Sequence, residues 1–224
     1  MAHLIAGGKK DMNSQFDDRS NAVLDEIILA RRTNRAFAPE APPQAAIEQI
    51  IRAGLWAPYA AMAVGSRADF RRFFVFSRGT PAMAEAARLI QLRARSFLEG
   101  MKGAAGGGAA PTYLERIKAL AENGHPVFKA APYVLVLAEY QGVPASGLQS
   151  LAHALENMWL KATALGLAFQ LISITERMSE DRAFVEMLGL PFGSFVLDGC
   201  AVGYPAAAPP EAKRIDAGAV TTWL

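Results

Sequence analysis

Pro132-Tyr133-Val134-Leu135-Val136-Leu137-Ala138-Glu139 holds four consecutive apolar residues, Val134 to Leu137. A strand with one face in water alternates apolar and polar residues, so this unbroken run predicts a strand covered on both faces, central in its sheet. On its C-terminal side, Leu148, Leu151, Ala152, Leu155, Trp159, Ala162 and Leu165 recur at helical spacing from Ser146 until Gly166 closes the helix. Phe169 to Ile174 and Phe195 to Val202 supply further strand candidates, separated by a short helix capped by Ser179 and ended by Gly189.

On the N-terminal side, Phe70 to Ser77 contains Phe73-Phe74-Val75-Phe76, whose aromatic and β-branched content predicts another buried strand. Thr80-Pro81 is a cap and first-turn pair for a helix to about Leu98. Gly103 to Gly108 interrupts as a mobile connector before a helical stretch near Pro111 to Asn123. Further upstream, Leu24, Ile27 and Ile28 predict a helix capped at Ser20 or Asn21 and running to about Arg32. Pro42-Pro43 opens a helix with Ile47, Ile50, Ile51 and Leu55 on one face, closed by Pro58. The sum is a mixed α/β core.

The chain of 224 residues, 52% hydrophobic, has material for one well-buried core, and no internal repeat divides it. Residues 1–20 are expected to be a flexible arm and 21–224 a single domain. The stretch 205–224 is rich in proline and alanine yet ends in Trp223-Leu224, so this tail is expected to dock, with a second subunit as a candidate surface.

Lys and Arg total 23 against 21 Asp and Glu, a net charge of +2, far from the basic balance of a nucleic-acid binder. One cysteine, Cys200, excludes an intrachain disulfide and a multi-cysteine zinc site, and a reducing cytoplasm is the simplest setting. As a small buried strand residue, Cys200 needs no redox role. No apolar run near the N-terminus is long enough for a signal peptide or membrane span.

A self-contained catalytic apparatus is missing. His3, His125 and His153 show no HExxH spacing, and there is no GxSxG elbow, GxxxxGK[ST] loop or GxGxxG after a strand. Clustered arginines with little acid–base equipment fit chemistry carried by a bound cofactor. Arg31, Arg32 and Arg35 bracket Thr33, so a helix end and its following turn can present guanidinium forks and a hydroxyl to one phosphate. The same arginines can instead stabilise a helix C-terminus, worth about 0.3–1 kcal/mol. On the residues alone both readings stand. For Arg71-Arg72, a solvated face is the preferred reading.

Arg31-Arg32-Thr33-Asn34-Arg35-Ala36-Phe37, followed by Pro39-Glu40 and Pro42-Pro43, resembles the opening motif of the FMN-dependent nitroreductase family. Trp56-Ala57-Pro58 is similar to its Ala-Pro-Ser loop, and Ala131-Pro132 precedes a matching strand. Asn157 to Leu160, Ala162 to Leu167, Gly203-Tyr204-Pro205 and Lys213-Arg214 resemble later landmarks in the proper order, so the likeness covers about residues 22 to 224.

The resemblance implies an α+β nitroreductase-like fold, a central mixed sheet flanked by helices, and a homodimer with FMN at the subunit interface. Arg31, Arg32, Thr33 and Arg35 would bind FMN at its phosphate, ribityl chain and pyrimidine edge, and Lys213 and Arg214 would complete the phosphate site. Pro58, Tyr59, Ala60 and Met62 occupy the loop that reaches the partner's flavin, and Ile172 and Ser173 match the segment whose backbone approaches flavin N5. Reduction gathers negative charge near flavin N1 and O2, where Arg31 or Arg35 is the candidate for electrostatic tuning. NADH or NADPH would reduce the flavin, then a nitroaromatic, quinone or related acceptor would reoxidise it at the same face, in ping-pong order. No metal, nucleic acid or membrane is implied.

Tyr59 and Met62 stand where the family often has Ser and Asn, Val64-Gly65-Ser66 replaces its Gln-Pro-Trp, and Ser173-Ile174 replaces its Gly-Gly. These departures motivate the alternatives of a specialised flavin-dependent dehydrogenase, dehalogenase or flavin-destroying member, or a non-catalytic flavin-binding protein.

Overall fold

The computed structural model describes residues 17–59, 69–103, 111–209, 211 and 214–224. Ala60, Met62 and Lys213, the Val64-Gly65-Ser66 substitution and the connector beyond Gly103 lie outside the described residues. The helices are α1 (Asp18–Ala30), α2 (Gln44–Leu55), α3 (Pro81–Gly103), α4 (Pro111–Asn123), α5 (Val127–Ala130), α6 (Gly147–Ala164) and α7 (Arg182–Met187). The strands are β1 (Arg71–Ser77), β2 (Tyr133–Tyr140), β3 (Ala168–Leu171) and β4 (Phe195–Gly203), and a 3-10 helix, Ser173–Glu180, follows β3.

The sheet has the order β1-β2-β4-β3, with β2 in its interior, as the apolar run requires. Every named strand pair is antiparallel, so the sheet is antiparallel and not the mixed one expected; a parallel bridge between Thr33 and Phe169 lies outside the named strands. Successive strand residues point to opposite faces. Val134, Val136 and Ala138 therefore enter a core with α3, α4, α5, α7 and the 3-10 helix, while Leu135 and Leu137 enter a second core with α2 and α6. Two apolar layers, not one, account for the four-residue run.

α6 buries Leu151, Ala154, Leu155, Met158, Trp159 and Ala162. Leu148 and Ala152, expected on that stripe, are exposed. Each large side chain removed from water contributes about 1.5–3 kcal/mol. Gly54 on α2 makes the close approach possible: a Cβ there would lie 2.8 Å from Met158 Sδ. Gly166, at φ 69°, ends α6 as expected, since that conformation suits a residue without Cβ.

Some local expectations are corrected. β1 is a half-buried edge strand, with Val75 exposed, so its apolar run does not signal full burial. α1 begins at Asp18, inside the stretch assigned to the arm, and its cap is Asp17, whose side chain accepts from the Ser20 N–H. α7 is capped by Asp181, not Ser179. The Ser179 hydroxyl accepts from the Leu197 N–H at 2.8 Å, tying the 3-10 helix to β4. The expected strand from Phe169 to Ile174 stops at Leu171, where the chain turns into that 3-10 helix.

Candidate functional site

α1 ends at Ala30, and the following segment runs beside β3: Thr33 bridges Phe169, and the Asn34 N–H donates to the Phe169 carbonyl at 3.1 Å. Trp159 of α6 fixes this segment from below. Its indole N–H donates to the Arg32 carbonyl at 3.1 Å, and its ring stacks on Phe169 at 5.3 Å between centroids. The Arg31 guanidinium sits 4.4 Å from the centre of the Trp159 ring and pairs with Glu156 at 3.2 Å.

Two further guanidinium groups converge on one backbone atom. The Leu29 carbonyl accepts from Arg32 Nη1 at 2.5 Å and from Arg214 Nη2 at 2.7 Å, although these residues are far apart in sequence. Both arginines cap the end of α1, as the helix-terminus reading expects. Neither has a carboxylate partner within ion-pair distance among the described residues. Two like charges held this close are destabilising unless an anion lies between them. A phosphate satisfies the chemistry of this donor set.

Arg35 is exposed and makes no hydrogen bond or ion pair among the described residues. With Thr33, Asn34 and Ala36 it faces Ala207, Ala208 and Pro209 across a cleft of about 370 Å³. Asn34, buried, braces that cleft: its Nδ2 donates to the Ala207 carbonyl at 3.3 Å and its Oδ1 accepts from the Ala36 N–H at 3.0 Å. The Phe37–Pro205 bridge and the Ala206 N–H bond to the Ala36 carbonyl at 3.0 Å close the far side. The tail thus begins by docking on its own chain. Its end does not, since Trp223 is 93% exposed.

Ile172 and Ser173 follow β3 directly and share the sheet edge with the arginine segment. Ile172 is buried, Ser173 exposed. Pro58 and Tyr59 lie elsewhere. The Tyr59 hydroxyl donates to the Tyr140 carbonyl at 3.0 Å, and its ring meets Phe70 edge-on at 4.9 Å. Phe169 pairs with Val202 and Val202 with Tyr133, so Tyr59 and Thr33 sit toward opposite ends of β2. The eight residues from Tyr133 to Tyr140 span roughly 23 Å. Within one chain, the Pro58-Tyr59 loop and the arginine segment are not brought together.

The structure overturns the solvated-face reading of Arg71. This side chain is fully buried and pairs with the equally buried Glu139 at 2.6 Å. It also donates to the carbonyls of Gly54 at 2.8 Å, Ala57 at 3.0 Å and Pro58 at 3.2 Å, fixing the end of α2 and the entry to the Tyr59 loop. Burial pushes the Glu139 carboxyl up from its ordinary value, opposed by hydrogen bonds from Ser150 and Arg71. Arg72 remains at the surface, paired with Asp69.

Sequence reasoning missed Trp159 as a residue that fixes the arginine segment. Trp159 was legible only as core, although a buried indole N–H demands an acceptor. Cys200 is buried and its thiol is pushed well above the ordinary range by burial, so it is not an ionised nucleophile. Among the described residues there is no cluster of metal-binding side chains, and no helix is long and apolar enough to cross a membrane.

A helix-flanked antiparallel sheet, with the Arg35 cleft beside its edge strand, defines an α+β protein. The profile of the Nitroreductase family matches residues 28–204, and the chain belongs to that family. Its fold is shared by a nitroreductase with bound FMN from Bacteroides fragilis, 25% identical, covering 90% of this chain and 98% of that one with a TM-score of 0.68. A BluB-like flavoprotein from Clostridium difficile is 20% identical over 90% of this chain and 98% of that one, also at 0.68. Iodotyrosine deiodinase bound to FMN and 3-iodo-L-tyrosine is 21% identical over 86% of this chain and 95% of that one, at 0.63. No curated protein matches by sequence.

Proposed function

We propose that this protein binds FMN and works as an NAD(P)H-dependent oxidoreductase of nitroaromatic, quinone or related acceptors, by a ping-pong mechanism in a homodimer. The observation that carries the reading is the convergence of Arg32 and Arg214 on the Leu29 carbonyl, beside the open Arg35. Those residues, with Arg31, Thr33 and Lys213, would hold the FMN phosphate and ribityl chain. The bound flavin supplies the redox chemistry.

The chain's own residues bind, orient and tune. Arg31 is kept rigid by Trp159 and Glu156, and Arg35 is free to turn toward a ligand. A fixed cation near the pyrimidine edge favours the more negative, reduced state of the ring. Ile172 and Ser173 offer backbone toward the ring, and Pro58, Tyr59, Ala60 and Met62 of one subunit would complete the other's site.

That two-subunit arrangement fits the separation of Tyr59 from Thr33 within one chain. It also fits α1, which buries no residue and exposes Val23, Leu24, Ile28 and Leu29. Apolar patches of this kind mark interaction surfaces. The exposed Trp223 gives the 205–224 tail an apolar end with which to wrap a partner. The cytoplasm is the proposed location, in keeping with the single, buried thiol.

The test is anaerobic addition of NADH or NADPH to the FMN-loaded protein. Bleaching of the flavin band, its recovery with a quinone or nitroaromatic, and parallel lines in double-reciprocal plots are expected. Intersecting lines contradict the shared-site mechanism. Failure of both nicotinamides to bleach bound flavin favours a non-catalytic flavin-binding protein.

A further inference from the structure

The peptide joining Ile172 to Ser173 is pinned from within the protein. The Ile172 N–H donates to the Gly199 carbonyl at 2.9 Å. The Ile172 carbonyl accepts from the Thr175 N–H at 2.9 Å and from Thr175 Oγ1 at 2.5 Å. Thr175 is wholly buried, with Asp198 Oδ1 behind its hydroxyl at 3.2 Å. That Asp198 oxygen is itself held, accepting from the Gly199 N–H at 2.7 Å. The fit admits no extra atom: a Cβ on Gly199 would lie 3.0 Å from Thr175 Oγ1 and 2.9 Å from the Leu135 carbonyl oxygen.

A trans peptide sets its carbonyl and the following N–H on opposite sides. The cis bond found among the described residues is Val143–Pro144, so the Ile172–Ser173 peptide is trans. Its carbonyl is drawn inward by Thr175, and the Ser173 N–H consequently faces outward. As the first residue of the 3-10 helix, Ser173 has no intrahelical acceptor for that N–H, and no other acceptor meets it among the described residues.

We propose that Thr175 is a positioning residue that holds the Ser173 N–H outward as a fixed donor to the N5 edge of the flavin. The proposal rests on the FMN reading above. Oxidised N5 carries a lone pair and no hydrogen, whereas reduced N5 carries a hydrogen and accepts less well. A fixed donor therefore favours the oxidised state, offsetting the opposite pull of the arginines. Without the Thr175 hydroxyl, the peptide loses one of its inward bonds, and the donor loses its fixed direction.

Three variants test this: Thr175→Val, which keeps the shape and removes the hydroxyl; Thr175→Ser, which keeps the hydroxyl; and Thr175→Ala, which stands in if the valine variant does not fold. In the FMN-loaded protein, Thr175→Val is expected to weaken oxidised FMN relative to reduced FMN about tenfold, raising the two-electron potential by roughly 30 mV. Thr175→Ser should keep the wild-type potential. In the flavin-free protein, amide exchange across residues 172–175 should quicken at least about tenfold in the valine variant and not in the serine variant. An unchanged or lowered potential in Thr175→Val, with wild-type FMN binding intact, overturns the proposal alone. Unchanged exchange overturns the clamp whether or not flavin is present. Failure of the wild type to bind FMN overturns both this proposal and the functional reading beneath it.

Discussion

The molecule uses arginine in two opposite ways. Arg71 is sealed inside, bonded to Glu139 and to the carbonyls of Gly54, Ala57 and Pro58. Arg32 and Arg214 crowd on one carbonyl at the end of α1, and nearby Arg35 lines an open cleft without a partner among the described residues. A buried guanidinium tied to a carboxylate and three backbone carbonyls is architecture. A surface cluster of guanidiniums with no carboxylate partner among the described residues is the phosphate site proposed above.

The largest effect should separate the two groups by stability. Removing one partner of a buried ion pair leaves the other charge unpaired and costs about 3–5 kcal/mol. Arg71→Ala or Glu139→Ala is therefore expected to lower the denaturation midpoint severely, read by chemical unfolding. Arg35→Ala should change stability by no more than about 0.5 kcal/mol. A stable Arg71→Ala protein would break the distinction.

Ligand affinity should reverse the ranking. A hydrogen bond to a charged group contributes about 1.5–3 kcal/mol, so Arg32→Ala or Arg214→Ala is expected to weaken FMN binding by roughly 10- to 150-fold. Fluorescence titration of FMN reads this directly. Equal affinities in wild type and both variants would return these arginines to helix-end capping alone.

Asp198 sharpens the contrast from the acid side, because it is mostly buried and no cation among the described residues pairs with it as Arg71 pairs with Glu139. Burial raises its pKa from 3.8 to about 6, opposed by the bond from the Gly199 N–H. Between those values the folded chain keeps a proton that the unfolded chain releases. This contribution to stability is thus complete below about pH 4 and is lost as pH rises through about 6. With allowance for solvent, the loss is about 1–2 kcal/mol. Asp198→Asn should remove that slope and stabilise the protein above pH 6, in thermal unfolding followed across pH. A steeper loss of stability in the asparagine variant would contradict the assignment.

The smallest effect concerns Arg31 and Glu156, a half-exposed pair worth about 0.2–1 kcal/mol. Glu156→Gln should barely move the unfolding midpoint while leaving the Arg31 charge free for a ligand. Raising salt should weaken FMN binding by screening the exposed cluster, with little effect on the Arg71–Glu139 pair.

How far these roles were legible depended on whether the cause was local. The central place of β2 followed from Val134 to Leu137, because a strand covered on both faces favours such a run. The end of α6 at Gly166 was equally local. β1 was misread because an apolar run does not say which strand stands at the edge. Arg71 was misread because arginine is rarely fully buried, and its partner Glu139 joins it through strand pairing across the sheet. The residues alone left the arginine segment open between a phosphate site and a helix end, and only the resemblance joined Arg214 to it, because their meeting needs the return of the tail past Phe37 and Asn34. Thr175 gave no signal at all, since its importance lies in a peptide it holds rather than in its own chemistry.

The most direct test of the whole account is the visible absorption spectrum of gently purified protein, with FMN added if it is colourless, followed by identification of flavin released on denaturation. The account predicts oxidised-flavin bands, release of FMN, and loss of that retention in Arg32→Ala and Arg214→Ala. A folded protein that neither carries flavin nor binds added FMN would contradict it.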